Sequence, residues 1–197
     1  MTDVSRETDL DSFLDLLLSW STRINLISPA SRADAWKRHI EDSLQLVPLI
    51  LQADNKLVDL GSGGGLPVIP LAISLRSSHP DLKFTAVESD ARKVAFLNTA
   101  RRAFLLKNLD VLNGRSETIA GQDADVVTAR GFAPLDRSLP HVRRHLRPTG
   151  RAILLKGRNV EEELSRAGAD WTFHCQRHPS RTDPTATILE LRDIAHD

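Results

Sequence analysis

Apolar residues run through this chain in two rhythms. Between residues 9 and 20, Leu10, Phe13, Leu14, Leu17, Leu18 and Trp20 recur three and four positions apart, which predicts an amphipathic helix that buries one face. Arg23-Ile-Asn-Leu-Ile-Ser-Pro29 breaks that rhythm, and Pro29 enforces an extended or turn conformation before it. A second helix is expected from near Ser31 through Trp36 to about Leu51, with Pro48 as the point where it can break. From residue 55 onward, short apolar runs alternate with helical stretches, the pattern of a parallel sheet with helices on both faces. Leu57, Val58 and Leu60 read as a strand buried on both faces. Further strands are expected at residues 83–88, 109–112, 124–130 and 151–156, the last after a turn at Pro148-Thr-Gly150. Helices fall between them, starting at Leu66, after an N-cap at Asp90, over residues 135–146, and around residues 159–167. Two final strands, 171–176 and 185–191, are joined by about eight residues containing Pro179 and Pro184, so they form an antiparallel pair. The expected architecture is α/β: a mostly parallel sheet with an antiparallel C-terminal strand. Residues 1–52 form a helical cap packed on a domain of residues 53–197, as a single structural unit.

The first strand runs into Gly61, Gly63, Gly64 and Gly65, where the backbone can turn tightly and approach a ligand that any Cβ would push away. Helical spacing resumes at Leu66, with Pro67 in a first-turn position. Strand, glycine turn and helix are how open α/β sheets build a nucleotide site. A dinucleotide fingerprint needs its third glycine at position 66, where this chain has Leu66. No Gly-Lys-Ser/Thr follows the run, which argues against a P-loop. The run Asp59-x-Gly61-x-Gly63-x-Gly65, with an acid two residues before the first glycine, resembles motif I of the class I (Rossmann-like) S-adenosylmethionine-dependent methyltransferases. That resemblance implies S-adenosyl-L-methionine as cofactor. Glu88 ends the second strand 27 residues after Gly61, where an acid accepts hydrogen bonds from ribose hydroxyls.

Composition narrows this picture modestly. At 197 residues the chain suits one domain, and its 26 basic residues equal its 26 acidic ones, so no net field draws it to nucleic acid. Any RNA contact needs a local basic patch. Cys175 is the only cysteine, which excludes an internal disulfide or a thiolate zinc site and fits a reducing cytoplasm. No apolar run approaches the roughly 18–20 residues of a membrane span, and the run at 13–18 is interrupted by Asp15 and lacks signal-peptide flanks. A soluble, cytoplasmic, metal-free monomer is expected.

The acceptor follows by elimination. Attack from carbon 5 of a pyrimidine needs a covalent cysteine, and Cys175 lies in a late strand with no proline beside it. Methylation of an exocyclic amine uses an Asn/Asp-Pro-Pro-aromatic sequence, which is absent. An intrinsically nucleophilic atom, such as a ring nitrogen with a free lone pair, needs no general base. Catalysis is then mostly alignment, which supplies on the order of 7–11 kcal/mol, and no catalytic side chain is expected.

Six further groups of residues sharpen the resemblance. Asn25-Leu26 with Arg38-His39-Ile-x-Asp42-Ser43, then the glycine run through Leu66-Pro67, resemble the signatures of the RsmG (or GidB) methyltransferases. Arg92-Lys93-x-x-Phe96-Leu97, Asn113-Gly-Arg115-x-Glu117, Thr128-Ala-Arg130-Gly-Phe132-Ala133 and Leu155-Lys156-Gly157 continue the likeness in the same order, over about residues 13–157. The resemblance implies methylation of N7 of one guanine in bacterial small-subunit ribosomal RNA. It makes Gly61, Gly63 and Leu66 the cofactor loop, Glu88 the ribose acid, and Ser116 and Glu117 the adenine contacts. Arg130 borders the reaction centre from the cofactor and substrate side; its bland alternative is a salt bridge to Asp123 or Asp125. Arg38, His39, Arg92, Lys93 and Lys156, with Arg158, become candidates for RNA contact. The basic helix at 90–107 is equally a solvated face, and His39 can equally pair with Glu41 or Asp42.

The chain departs from the family at Val68 and Ser21, where Gly and Asn are usual, and at Thr128-Ala129, where Ser is commoner. Near the C-terminus only Arg181 or Thr185, and Arg192, stand near the family's Arg and Lys, so no RNA role is carried there. Two other readings stay open. One is a methyltransferase for a small molecule or another RNA, which the neutral charge favours slightly. The other is a ribosome-assembly module without turnover, against which the intact glycine loop argues.

Overall fold

In the computed structural model, which describes residues 3–197, the alternation that begins at residue 55 builds one seven-stranded sheet. β1 (Lys56–Leu60) lies between β2 (Lys83–Glu88) and β4 (Ala124–Arg130), parallel to both. β3 (Leu109–Asn113) flanks β2 and β5 (Leu146–Lys156) flanks β4, again parallel. β7 (Thr187–His196) runs antiparallel beside β5, and β6 (Trp171–Pro179) closes that edge antiparallel to β7. The order reverses at β1 and β4, and the carboxyl ends of strands at such a switch point open a crevice where ligands sit.

Each strand face meets its own set of helices. Leu57 points to a cluster formed by α1 (Asp3–Trp20), α3 (Val68–Leu75) and α4 (Ala91–Ala103), with Phe13, Ile69 and Phe96 at its centre. The Phe13 ring packs against Phe96 at 6.4 Å and edge-on against Phe104 at 6.0 Å. Val58 and Leu60 point the other way, to α5 (Leu135–His145) and α6 (Val160–Ala167). Period-two alternation within an apolar run therefore feeds two cores at once. The described segment before β1 shares the first core: Leu10, Leu17, Ile40 and Leu46 are buried in it. Among the described residues no helix is long and apolar enough to cross a membrane.

The N-terminal segment after α1 differs from expectation. In place of one helix over residues 31–51, the chain makes a 3₁₀ turn at Pro29–Ser31, a π-helical turn at Trp36–Glu41, the short α2 (Asp42–Leu44) and a second 3₁₀ turn at Val47–Leu49. Side chains compete here for backbone carbonyls: Ser43 Oγ donates to His39 O at 2.6 Å and Arg130 Nη1 to Arg38 O at 3.1 Å. Two smaller differences follow from local chemistry. α3 starts at Val68, because Gly65 holds a positive φ of 74° and the loop continues through Pro67. β5 starts at Leu146, with residues 147–150 forming an irregularity in its register against β4, where a turn was expected before the strand. The final hairpin is as expected, with longer strands.

One buried ion pair ties the segment before β1 to the sheet. Arg151 of β5 donates to both oxygens of Asp54 at 2.8 and 2.7 Å and to Leu49 O at 2.8 Å, and its Nε lies 3.6 Å from Glu190 of β7. Removing one partner of such a pair strands a desolvated charge. Asp54→Ala should lower the unfolding free energy by about 3 kcal/mol, measured by urea denaturation.

Candidate functional site

The carboxyl ends of β1, β2 and β4 converge on the glycine loop. Asp59, next to last in β1, is fully buried; its Oδ1 accepts from the Thr128 hydroxyl of β4 at 2.8 Å, and its Oδ2 has no partner among the described residues. Burial pushes its carboxyl up to about 7. Gly61 follows with φ at +66°, and a Cβ there would sit 2.6 Å from Cδ2 of Phe132, so only glycine lets that ring lie against the loop. The Gly63 amide donates to Glu88 Oε2 at 2.9 Å, while the Ser89 and Asp90 amides donate to Oε1 at 2.7 and 2.9 Å. Three backbone amides thus fix a carboxylate that has about four acceptor sites.

Gly61 and Phe132 stand where two cavities meet. The smaller, about 250 Å³, is walled by Glu88, Ser116, Glu117 and His141. Ser116 Oγ lies 2.7 Å from His141 Nδ1, and the His141 ring meets Phe132 edge-on at 5.3 Å. The smaller cavity thus brings together an aromatic wall, a fixed carboxylate and polar groups on the β3–β4 connection, among them the predicted Glu88, Ser116 and Glu117. The glycine loop passes from there into the larger cleft, about 940 Å³, lined at the loop's exit by Leu66.

Arg130 projects from the end of β4 into this larger cleft. It reaches neither Asp123 nor Asp125; Asp125 pairs with Arg147. Its guanidinium donates instead to Arg38 O at 3.1 Å, Asp42 Oδ2 at 3.1 Å and His39 Nδ1 at 2.6 Å. A guanidinium has no acceptor, so His39 Nδ1 carries the lone pair and Nε2 the proton, which it gives to Ser31 Oγ at 2.9 Å. Ser31 passes its own proton to Ser28 O at 2.7 Å. Burial, then the Arg130 and Arg38 charges, lower the His39 pKa to about 4, so the ring is neutral. Its pairing is with Arg130 and Ser31, not with Glu41 or Asp42.

The candidate RNA contacts separate into two groups. Arg38 and Arg158 are exposed and form no ion pair among the described residues, and Lys93 lines the larger cleft with its charge likewise unpaired. The Thr185 amide and hydroxyl, then the Arg38 and Arg158 charges, hold the Asp183 carboxyl below its usual range; Arg38 and Asp183 line the larger cleft. Arg92 is 73% exposed and pairs with Asp90 at 3.0 Å, away from both cavities. His39 and Lys156 are buried. Lys156 Nζ donates to Ala133 O at 2.8 Å and pairs with Glu163 at 2.9 Å, and Glu163 also accepts from Leu135 N at 2.9 Å. These two therefore brace Arg130 and the 132–135 turn, with their polar atoms committed inside the protein.

Sequence reasoning missed three residues. Asp42 and Phe132 stood inside recognised motifs without a role, and His141 carries no sequence signal beyond its place on the inner face of α5.

The chain matches the family model for rRNA small subunit methyltransferase G over residues 6–186. It is 46% identical over 194 residues to Ribosomal RNA small subunit methyltransferase G of Paracoccus denitrificans, covering 98% of each chain. To the Gluconobacter oxydans protein of that name it is 45% identical over 196 residues, again 98% of each. Among solved structures it resembles a SAM dependent methyltransferase from Aquifex aeolicus, with TM-score 0.60 and 13% identity, over 83% of this chain and 93% of that one. M. jannaschii TYW2 in complex with AdoMet gives TM-score 0.58 at 14% identity over 81% and 76%. At such identities the likeness is one of fold.

Gly61→Ala should displace Phe132 and weaken binding of labelled S-adenosylmethionine by about tenfold, or about 1.4 kcal/mol, in equilibrium dialysis. The two shifted groups make opposite pH slopes. Asp59 ionises at 3.8 when unfolded and about 7 when folded, so its contribution to stability is whole below that window and lost as pH rises through it. His39 titrates at 6.5 unfolded and about 4 folded, so its contribution is whole above 6.5 and lost as pH falls. As pH drops from 7 to 5, Asp59→Asn should lose stability relative to the unaltered protein and His39→Gln should gain it. Urea unfolding at each pH checks both signs.

Proposed function

The chain belongs to the rRNA small subunit methyltransferase G family, and from that premise we propose that it methylates N7 of a guanine in small-subunit ribosomal RNA. The observation that carries the reading is the meeting of the two cavities at Gly61 and Phe132: a nucleoside-sized pocket on one side, and on the other an open cleft with Arg130 inside and unpaired cations at its rim. S-adenosylmethionine, when bound, supplies a methyl group activated by a sulfonium leaving group. Gly61, Gly63 and Leu66 would hold its amino-acid part, Glu88 its ribose hydroxyls, and Ser116 and Glu117 its adenine, with Arg130 bordering the methyl side.

The larger cleft suits an acceptor that needs no base. Asp42 is neutralised by Arg130, Glu163 by Lys156, the free lone pair of His39 is spent on Arg130, and the Thr185 amide and hydroxyl make the Asp183 carboxylate a weak base. N7 of guanine carries a lone pair and no proton, so alignment is the demand, and rigidly held walls provide it. Arg38, Lys93 and Arg158 would take RNA phosphates, which makes binding local and compatible with zero net charge. Residues 26–45, within the expected cap, close one side of this cleft. The protein works as a monomer in the cytoplasm, on RNA carried in the small subunit or a precursor of it.

Small ribosomal subunits from cells lacking the enzyme, incubated with methyl-labelled cofactor, should gain label at one guanine N7, located by mapping the modified base. Absence of transfer with cofactor binding intact would overturn the reading. Arg38→Glu combined with Arg158→Glu should raise the KM for subunits while leaving cofactor affinity unchanged.

A further inference from the structure

Asp42 lies where three distant segments touch. Its Oδ2 accepts from Arg130 on β4, 88 positions away, and its Oδ1 accepts from Thr182 Oγ1 at 2.7 Å, 140 positions away, and from Gln45 Nε2 at 2.8 Å. Gln45 repeats the bridge: its Oε1 accepts from the Arg181 amide at 3.0 Å, and its Nε2 reaches Ser180 Oγ at 3.4 Å. The turn between β6 and β7 is otherwise bonded to itself, Ser180 N to Ala186 O, Ala186 N to Asp183 O and Thr185 to Asp183 Oδ1. Among the described residues, Asp42 and Gln45 supply its hydrogen bonds to the rest of the protein. The side chains of Asp42 and Arg130 are 17% and 22% exposed, so their pairing is only partly screened by water. Asp42, Arg130, Thr182 and Asp183 all line the larger cleft.

We propose that Asp42 is a positioning residue that latches the β6–β7 turn to Arg130, so that the C-terminal hairpin forms a fixed wall of the acceptor cleft. One carboxylate oxygen orients the guanidinium and the other holds the turn, so the wall and the arginine move together. Gln45, the second strap on the turn, is itself oriented by the same Oδ1, so losing the Asp42 carboxylate loosens both. The nucleoside pocket shares none of these bonds, so the cofactor's affinity is not governed by the latch.

This inference rests on the methyltransferase reading for its kinetic consequence, though not for its structural one. In hydrogen exchange on the free protein, Asp42→Ala, which removes both acceptor oxygens, should speed exchange at the amides of Arg181, Thr182 and Asp183 while the β1 and β4 amides stay protected. Unchanged exchange at those three amides overturns the latch, whatever the enzyme's activity. With small subunits as substrate, Asp42→Asn should lower kcat on the order of 10- to 100-fold, the scale of a slight misplacement, with cofactor affinity within twofold of the unaltered protein. Thr182→Val, which leaves the Arg130 pairing intact, should raise the KM for subunits several-fold at near-normal kcat. Asp42→Glu should recover part of the lost kcat. A uniform fall in melting temperature and cofactor affinity, with no split between KM and kcat, would make Asp42 merely structural and sink the proposal. If the unaltered protein transferred no methyl group to subunits, the functional reading would fall, and the exchange result would still decide the latch.

Discussion

A guanidinium can only donate hydrogen bonds, and much of this molecule is arranged around that limit. Arg130 emerges from the end of a central strand in the crevice where ligands belong, and it must find acceptors. It finds a backbone carbonyl, a ring nitrogen and a carboxylate, all on one turn of the cap. Each choice propagates. The ring nitrogen must be bare, so the other nitrogen of His39 holds the proton and reaches Ser31, whose hydroxyl must then donate to a carbonyl. The captured carbonyl belongs to a π-helical turn, a geometry concentrated at functional sites. The cap is therefore positioned by its hydrogen bonds to the sheet as well as by its apolar contacts.

What could be read from the chain alone follows from which forces act locally. Strands β1 to β5 and the glycine loop announce themselves through apolar runs and glycine spacing, because the backbone needs there are met by neighbouring residues. The segment at 29–51 did not read correctly, since its periodicity looks helical while its carbonyls are claimed by Ser43 and by Arg130, the latter about ninety positions away. The charged candidates could not be sorted from sequence for a parallel reason. A lysine or histidine in a motif looks like a ligand contact, but the sequence does not reveal that Glu163 faces Lys156 or that Arg130 faces His39. Family resemblance pointed to strand ends that line the two cavities, and only three-dimensional pairing told the ion-paired cations from the exposed ones.

Charge illustrates the same distinction. Twenty-six basic and twenty-six acidic residues cancel on paper, yet they are sorted in space. Some buried members are ion-paired, Arg151 with Asp54 and Lys156 with Glu163, while Glu88 is held by three backbone amides and Asp59 by the Thr128 hydroxyl. Arg38 and Lys93, which form no ion pair among the described residues, line the larger cleft, where a polyanion can reach them. A neutral total is thus compatible with local positive charge beside the cleft.

The reversed strand β7 has an effect beyond the sheet. Because it runs against β5 and β6, the turn that joins β6 to β7 emerges at the same end as Lys156 and Arg130, beside the glycine loop. A parallel β7 would need a crossover connection that returns to the opposite end of the sheet. The hairpin tip hangs from the two strands at the sheet edge, with no helix built on it. It is hydrogen-bonded to the rest of the protein through Asp42 and Gln45, so a change in the tip is felt at Arg130 and along the larger cleft, while the bonds that fix Glu88 in the smaller cavity are made elsewhere.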